Sequence, residues 1–177
     1  MHILLIITIA VSLSMDAFSL SLAYGTLNLR KKDIFSLALI VGIYHFFMPL
    51  LGNGVGNLFL KIFPLHPSLI VFIVLVFIGI QMIIEGIRGK NDVKELSFFE
   101  KIIFGLAVSI DSFSVGIGLQ SISNKYILCA CIFSLSSFIF TYFGLFFGKK
   151  INYIIGKIST IIGGIVLIII GFLYLFK

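Results

Sequence analysis

The chain has no tryptophan, two cysteines, three prolines, and only seven acidic residues against thirteen basic ones in 177 positions. Charged residues make up 11% of it, under half of the ~25% usual in a soluble domain. Hydrophobic residues reach 60% and the mean hydropathy is +1.22. So little charge excludes a water-soluble globular fold. The cysteines are equally restrictive. Cys129 and Cys131 stand two positions apart, about 200° around a helix, so they cannot clamp one ion together and are expected to be buried spectator thiols. Only Met1 and His2 precede the first apolar run, without the basic segment of a cleavable leader, so that run is expected to be retained.

What the chain does have is six long apolar runs, about 3–25, 34–60, 66–88, 99–120, 126–147 and 153–176. Runs of roughly 18 or more such residues read as membrane-spanning helices. Together they predict an all-α integral membrane protein, a single membrane domain over 1–177 with short connections and the lipid bilayer as its surroundings. The net charge of +6 is not a nucleic-acid signature, because its placement is that of a topology signal. Arg30, Lys31 and Lys32 lie in the first connection, Arg88, Lys90, Lys94 and Lys101 around the third, and Lys149, Lys150 and Lys157 around the fifth. Only Lys61, Lys125 and Lys177 fall on the other side. The positive-inside rule then predicts connections one, three and five in the cytoplasm and both termini outside.

The chain also repeats itself. Ser14-Met15-Asp16-Ala17-Phe18-Ser19 lies over Ser109-Ile110-Asp111-Ser112-Phe113-Ser114 at an offset of 95 residues, with Ser, Asp, Phe and Ser in register. Gly52 and Gly56 of the second run match Gly144 and Gly148 of the fifth, and Gly79 and Gly86 of the third match Gly164 and Gly171 of the sixth. Such self-similarity marks internal duplication. The halves, 1–88 and 99–177, each hold three helices, an odd number, so the second must enter the membrane from the opposite face. Two inverted three-helix repeats place a substrate site at their interface near the midplane. A pseudo-two-fold axis would set Asp16 and Asp111 at similar depth, facing one another.

The seven acids divide by environment. Asp33, Asp92, Glu95 and Glu100 sit in or beside the basic connections and are expected to be solvated. Asp16, Asp111 and Glu85 lie inside apolar segments, where a charge costs about 2.5–3.5 kcal/mol on insertion scales and marks an ion or substrate pathway. Ser12, Asp16 and Ser19 share one helical face, as do Asp111 and Ser114, by spacings of three and four. The plainer alternative is a protonated carboxyl that serves helix packing, and the repeat-equivalent pairing of the two Asp residues weighs against it. Oxygen donors of this kind suit a hard or borderline divalent cation such as manganese or magnesium. Two carboxylates would neutralise such an ion and, without it, share a proton or split their pKa values, a physical basis for cation–proton exchange. Backbone carbonyls near Gly116 or Gly118 are expected to be within an ion's reach, and Gly25 belongs with the small residues that let helices approach closely. Glu85, one turn before Arg88, reads as an ion pair or as an entry residue. His45 and Asn53 flank Pro49, which is expected to kink its helix; His45 reads as a packed, hydrogen-bonded side chain or as a proton relay.

The ordered set "SMDAFSLSLAYG", "IGIQMIIEGIRG" and "VSIDSFSVGIGL" resembles the bacterial manganese efflux pump family over nearly the whole chain. That resemblance implies a fold related to the lysine exporter superfamily and location in the bacterial inner (plasma) membrane. It also implies export of Mn²⁺ as transported substrate with no cofactor, functional carboxylates at Asp16 and Asp111, and the acid of "MIIEG" at Glu85. The chain departs from the family pattern at Ser19, at His45 and at Asn53, where a Trp is common. Other readings are a related sporulation-associated membrane protein with the same Asp-Ala-Phe motif, an amino-acid exporter of the same fold, or an intramembrane aspartyl protease. The protease would need a carboxyl dyad, but its Tyr-Asp and Gly-x-Gly-Asp contexts are absent, so the chain is not expected to be an enzyme.

Overall fold

The computed structural model describes residues 2–62, 67–88, 94–118, 125–155 and 157–175. The described residues form six α-helices: α1 (His2–Gly25), α2 (Lys31–Ile62), α3 (Pro67–Arg88), α4 (Phe98–Gly118), α5 (Tyr126–Ile155) and α6 (Lys157–Leu175). Their bounds follow the six apolar runs. Ile, Val and Phe are mediocre helix formers in water, but an apolar environment leaves backbone N–H and C=O groups no partner except those within the helix. Three stretches, Ile6–Gly25, Lys31–Gly54 and Tyr126–Ile154, are long and apolar enough to cross a membrane; Phe72–Ile87 and Ile158–Leu173 are shorter apolar stretches. Pro49 does not end α2, which runs on to Ile62.

Local chemistry sets the ends. After Gly25 the chain turns through Thr26 and Leu27, whose N–H groups donate to Ala23 and Tyr24, and Asn28 takes a left-handed φ of 55°, which Asn tolerates better than most residues. Arg30 then offers its carbonyl to the N–H groups of Asp33 and Ile34 and so starts α2. At α4 the Ser97 N–H donates to Glu100 Oε2 at 2.7 Å, the returning half of a capping box.

α1 packs along α5, α2 along both α4 and α5, and α3 along α6, with lighter α1–α6, α3–α4 and α1–α4 contacts. Glycine makes these crossings close. A methyl on Gly144 would meet the Phe18 carbonyl oxygen, and one on Gly52 would meet that of Phe113. Gly25 lies in the same way against the Leu145 backbone, and Gly116 against Pro49.

Two apolar clusters fill the interior. The larger draws on all six helices, among them Leu20, Tyr24, Leu37, Val41, Leu75, Met82, Phe104, Val108, Leu145 and Leu167. The smaller joins Ile6, Ala10 and Leu13 of α1 to Cys129 and Phe133 of α5, with Ile9 and Val115 packed against it. Cys129 is buried as expected, whereas Cys131 is exposed, because two positions along a helix turn it to the outer face.

Connections one and three meet at the same end of the bundle as the close of α5 and the start of α6. Leu29 and Lys94 pair as an isolated parallel bridge, the Lys94 N–H donating to Asn28 O at 3.1 Å. Lys149 Nζ reaches Leu29 O, and Asn152 Nδ2 and Thr160 Oγ1 both donate to Thr26 O at 2.7 Å. Arg30, Lys94, Lys101 and Lys149 of the first, third and fifth connections thus gather at one end. Arg88, Lys90 and Lys157 fall outside the described side chains.

Candidate cation site

On α1, Ser12, Asp16 and Ser19 are exposed on one face, as their spacing requires. Ser19 Oγ donates to Met15 O at 3.0 Å. On α4, Asp111 is half-buried and Ser114 exposed, and the Ser112 N–H donates to Asp111 Oδ1 at 2.8 Å. The flanks that carry the two acids border a shared layer. Ile9 and Leu13 of α1 lie in or against the smaller apolar cluster, and so does Val115, one turn beyond Asp111. Among the described residues no three His, Cys, Asp or Glu side chains converge as a metal centre would need. A cation between these helices would therefore depend on two carboxylates supplemented by hydroxyl or carbonyl oxygens. Such a sparse donor set suits an ion that has to be released again.

His45 is fully buried on α2. Its Nδ1 lies 3.0 Å from Val41 O and 2.9 Å from Ser109 Oγ. A carbonyl only accepts, which assigns the ring proton to Nδ1; Nε2, also buried, has no hydrogen-bond partner among the described residues. The histidine thus ties α2 to α4 two residues before Asp111. On the other side of the bundle Ser14 Oγ, two residues before Asp16, lies 3.2 Å from Ser137 Oγ of α5 and donates to Ser136 Oγ at 2.8 Å. The register that aligns Gly52 with Gly144 also aligns His45 with Ser137. Each Asp-bearing helix is therefore tied to its crossing partner at the equivalent place.

One expectation about the acids needs correction. Asp33 is buried, not solvated, at 1% exposure. Lys101 Nζ stands 2.7 Å from its Oδ1, Arg30 Nε 2.9 Å from its Oδ2, and the Leu96 N–H donates to it at 3.4 Å. The first turn of α2 sets this carboxylate against Lys101 of α4 and Leu96 of connection three, and its cationic partners offset the desolvation. The Asp33 hydrogen bond in turn raises the Arg30 guanidinium above its ordinary pKa. Glu85 has its described partner in Lys94, at 2.8 Å; the Arg88 side chain lies outside the described residues. Lys94 also approaches Glu100 at 3.5 Å, and exposed Glu95 pairs with Arg30. Asp92 lies outside the described residues. Gly25 is buried at the α1–α5 crossing, and Asn53 is half-buried on α2.

The family model described as "Putative manganese efflux pump" matches residues 28–175. Curated proteins named "Putative manganese efflux pump MntP" are similar along nearly the whole chain. The one from Bacillus pumilus is 37% identical over 94% of this chain and 91% of its own length. That from Methanobrevibacter smithii is 36% identical, covering 94% and 92%, and that from Citrobacter koseri 36%, covering 97% and 95%. The chain belongs to this manganese efflux pump family. No solved structure matches it.

Within this family frame, sequence reasoning overlooked Ser109 and Ser137 as tie points and Asp33 as a buried ion-pair centre. Ser109 was recoverable as the partner of Ser14 in the repeated motif, and Ser97-Phe98-Phe99-Glu100 has the spacing of a capping box. Nothing in the local pattern of Arg30-Lys31-Lys32-Asp33 separates a solvated acid from a buried one.

Proposed function

We propose that the chain is a secondary exporter that carries Mn²⁺ out of the cytoplasm through a midplane site between α1 and α4. Asp16 and Asp111 supply the charge, and Ser12, Ser19 and Ser114 supply further oxygen ligands. Asp and hydroxyl oxygens match a hard divalent ion, and the names of the relatives select manganese over the sporulation reading. Their naming as efflux pumps also favours transport over proteolysis.

In this reading all six helices span the plasma membrane, as two inverted three-helix repeats with the basic end in the cytoplasm and both termini outside. The inversion is supported by contacts that survive exchange of the halves. Gly144 on Phe18 corresponds to Gly52 on Phe113, and Gly79 and Gly164 lie against each other. Ser14 with Ser137 corresponds to Ser109 with His45.

The observation that carries the proposal is the pair of equivalent Asp residues, each two positions beyond a serine tied to the crossing helix. Expression in manganese-sensitive cells tests it. The intact chain is expected to restore growth in manganese and to lower cellular manganese, and Asp16→Ala and Asp111→Ala are each expected to abolish both effects. Protection by either variant equal to that of the intact chain would remove the site.

A further inference from the structure

We infer that the Tyr24–Phe104 ring pair is the cytoplasmic gate of the transport path, closed in this conformation. The inference rests on the export reading for what passes the gate, but its geometry stands apart from the identity of the ion. The two rings stack with centroids 4.4 Å apart and an interplanar angle of 20°, and both side chains are buried. Tyr24 is eight residues beyond Asp16 on α1, and Phe104 is seven residues before Asp111 on α4. At 1.5 Å per residue both ring-bearing positions lie about 10–12 Å along their helices from the Asp positions, toward the basic end. The stack therefore joins the two Asp-bearing helices two turns below the proposed site.

The surroundings favour a gate over simple packing. The pair sits within the apolar cluster to which all six helices contribute, so an ion coming from the basic end meets a layer rich in apolar side chains there. A hydrated divalent cation does not enter such a layer while its walls touch. Beyond the rings lies a polar latch in which Asp33 is held by Arg30 and Lys101 and hydrogen-bonded by Leu96. Lys94 is held by Glu85 and Glu100, and the Leu29–Lys94 bridge draws connections one and three together. The register of the repeat offers no such pair at the other end. Phe104 corresponds there to Ile9, and Tyr24 to Leu119, which lies outside the described residues.

The test places a thiol between the gate and the acids. Ala107, one turn from Asp111 toward the gate, is buried. Ala107→Cys is made in a chain also carrying Cys129→Ala and Cys131→Ala, and inside-out vesicles without divalent cation are treated with a small membrane-impermeant thiol reagent. With both rings in place the thiol is expected to stay protected. Tyr24→Ala, and separately Phe104→Leu, are expected to speed labelling about tenfold, whereas Tyr24→Phe, which retains the ring, stays protected. Should Tyr24→Ala not fold, Phe104→Leu reads the same quantity with a smaller loss of volume. Equal labelling with rings intact and rings truncated, or labelling of Tyr24→Phe like Tyr24→Ala, overturns the gate. Mn²⁺ uptake by the same vesicles is read in parallel. Its absence in the intact chain would overturn the export reading and leave the thiol result standing.

Discussion

Gly79 and Gly164 meet backbone to backbone where α3 crosses α6: a methyl on either would stand 2.6 Å from the other's carbonyl oxygen. The contact is reciprocal, so neither helix can yield without displacing the other. Gly79→Ala or Gly164→Ala is expected to force the helices apart and to cost about 1–3 kcal/mol, as overpacking does. Thermal unfolding in detergent checks this, with a fall of several degrees for each variant. The double variant should fall by less than the sum, because the first methyl has already opened the crossing.

The His45–Ser109 tie predicts a difference between two substitutions at one position. His45→Leu leaves the Ser109 hydroxyl without its cross-helix partner in a buried place, a loss of about 1–3 kcal/mol, and is expected to reduce vesicle transport of Mn²⁺. His45→Gln can keep a hydrogen bond to Ser109 and should retain most of it. Equal transport by the two variants would mean that the tie does not position Asp111.

Asp33 and Glu85 are both acids in ion pairs, yet they should respond very differently to neutralisation. Asp33→Asn leaves Lys101, with 15% of its side chain exposed, facing a neutral amide. Loss of one partner of a buried pair costs about 3–5 kcal/mol; the 39% exposure of Arg30 brings the expectation to about 2–3 kcal/mol. Adding Lys101→Met should recover part of it, a coupling measurable in a double-mutant cycle of thermal stabilities.

Glu85→Gln should cost under about 1 kcal/mol, since Lys94 retains Glu100 and the pair is partly exposed, the range of surface ion pairs. A loss as large as that of Asp33→Asn would show that Glu85 does more than hold Lys94. Transport measured on the same variant separates an entry role from a structural one.

The sequence shows the helices because lipid allows one answer to an apolar run, and it shows Asp16 and Asp111 because an acid inside such a run stands out. The repeat in turn exposes the glycines, since Gly52 and Gly144 occupy matching places before any contact is known. Harder to see is whatever depends on how one element folds over another. Asp33 looks solvated among three basic neighbours until the start of α2 is set against Lys101 of α4. Cys131 looks as buried as Cys129 until the outer face of α5 is known. His45 was legible as a hydrogen-bonded residue, but its partner lies 64 positions away.

The helices that bear the acids and those that cross them differ in length. α2 has 32 residues and α5 has 30, against 24 in α1 and 21 in α4. The stretch of α2 apolar enough to cross a membrane, Lys31–Gly54, has 24 residues, about 36 Å at 1.5 Å per residue, beyond the ~30 Å of hydrocarbon in a typical bilayer. Excess length of this kind is accommodated by tilt or by a locally thicker membrane. α2 and α5 are also the helices to which α4 and α1 are tied at Ser109 and Ser14. On the proposed reading, acyl-chain length becomes a variable of the protein: a thinner membrane is expected to lean the two long struts further over and to shift the carboxylate-bearing helices tied to them.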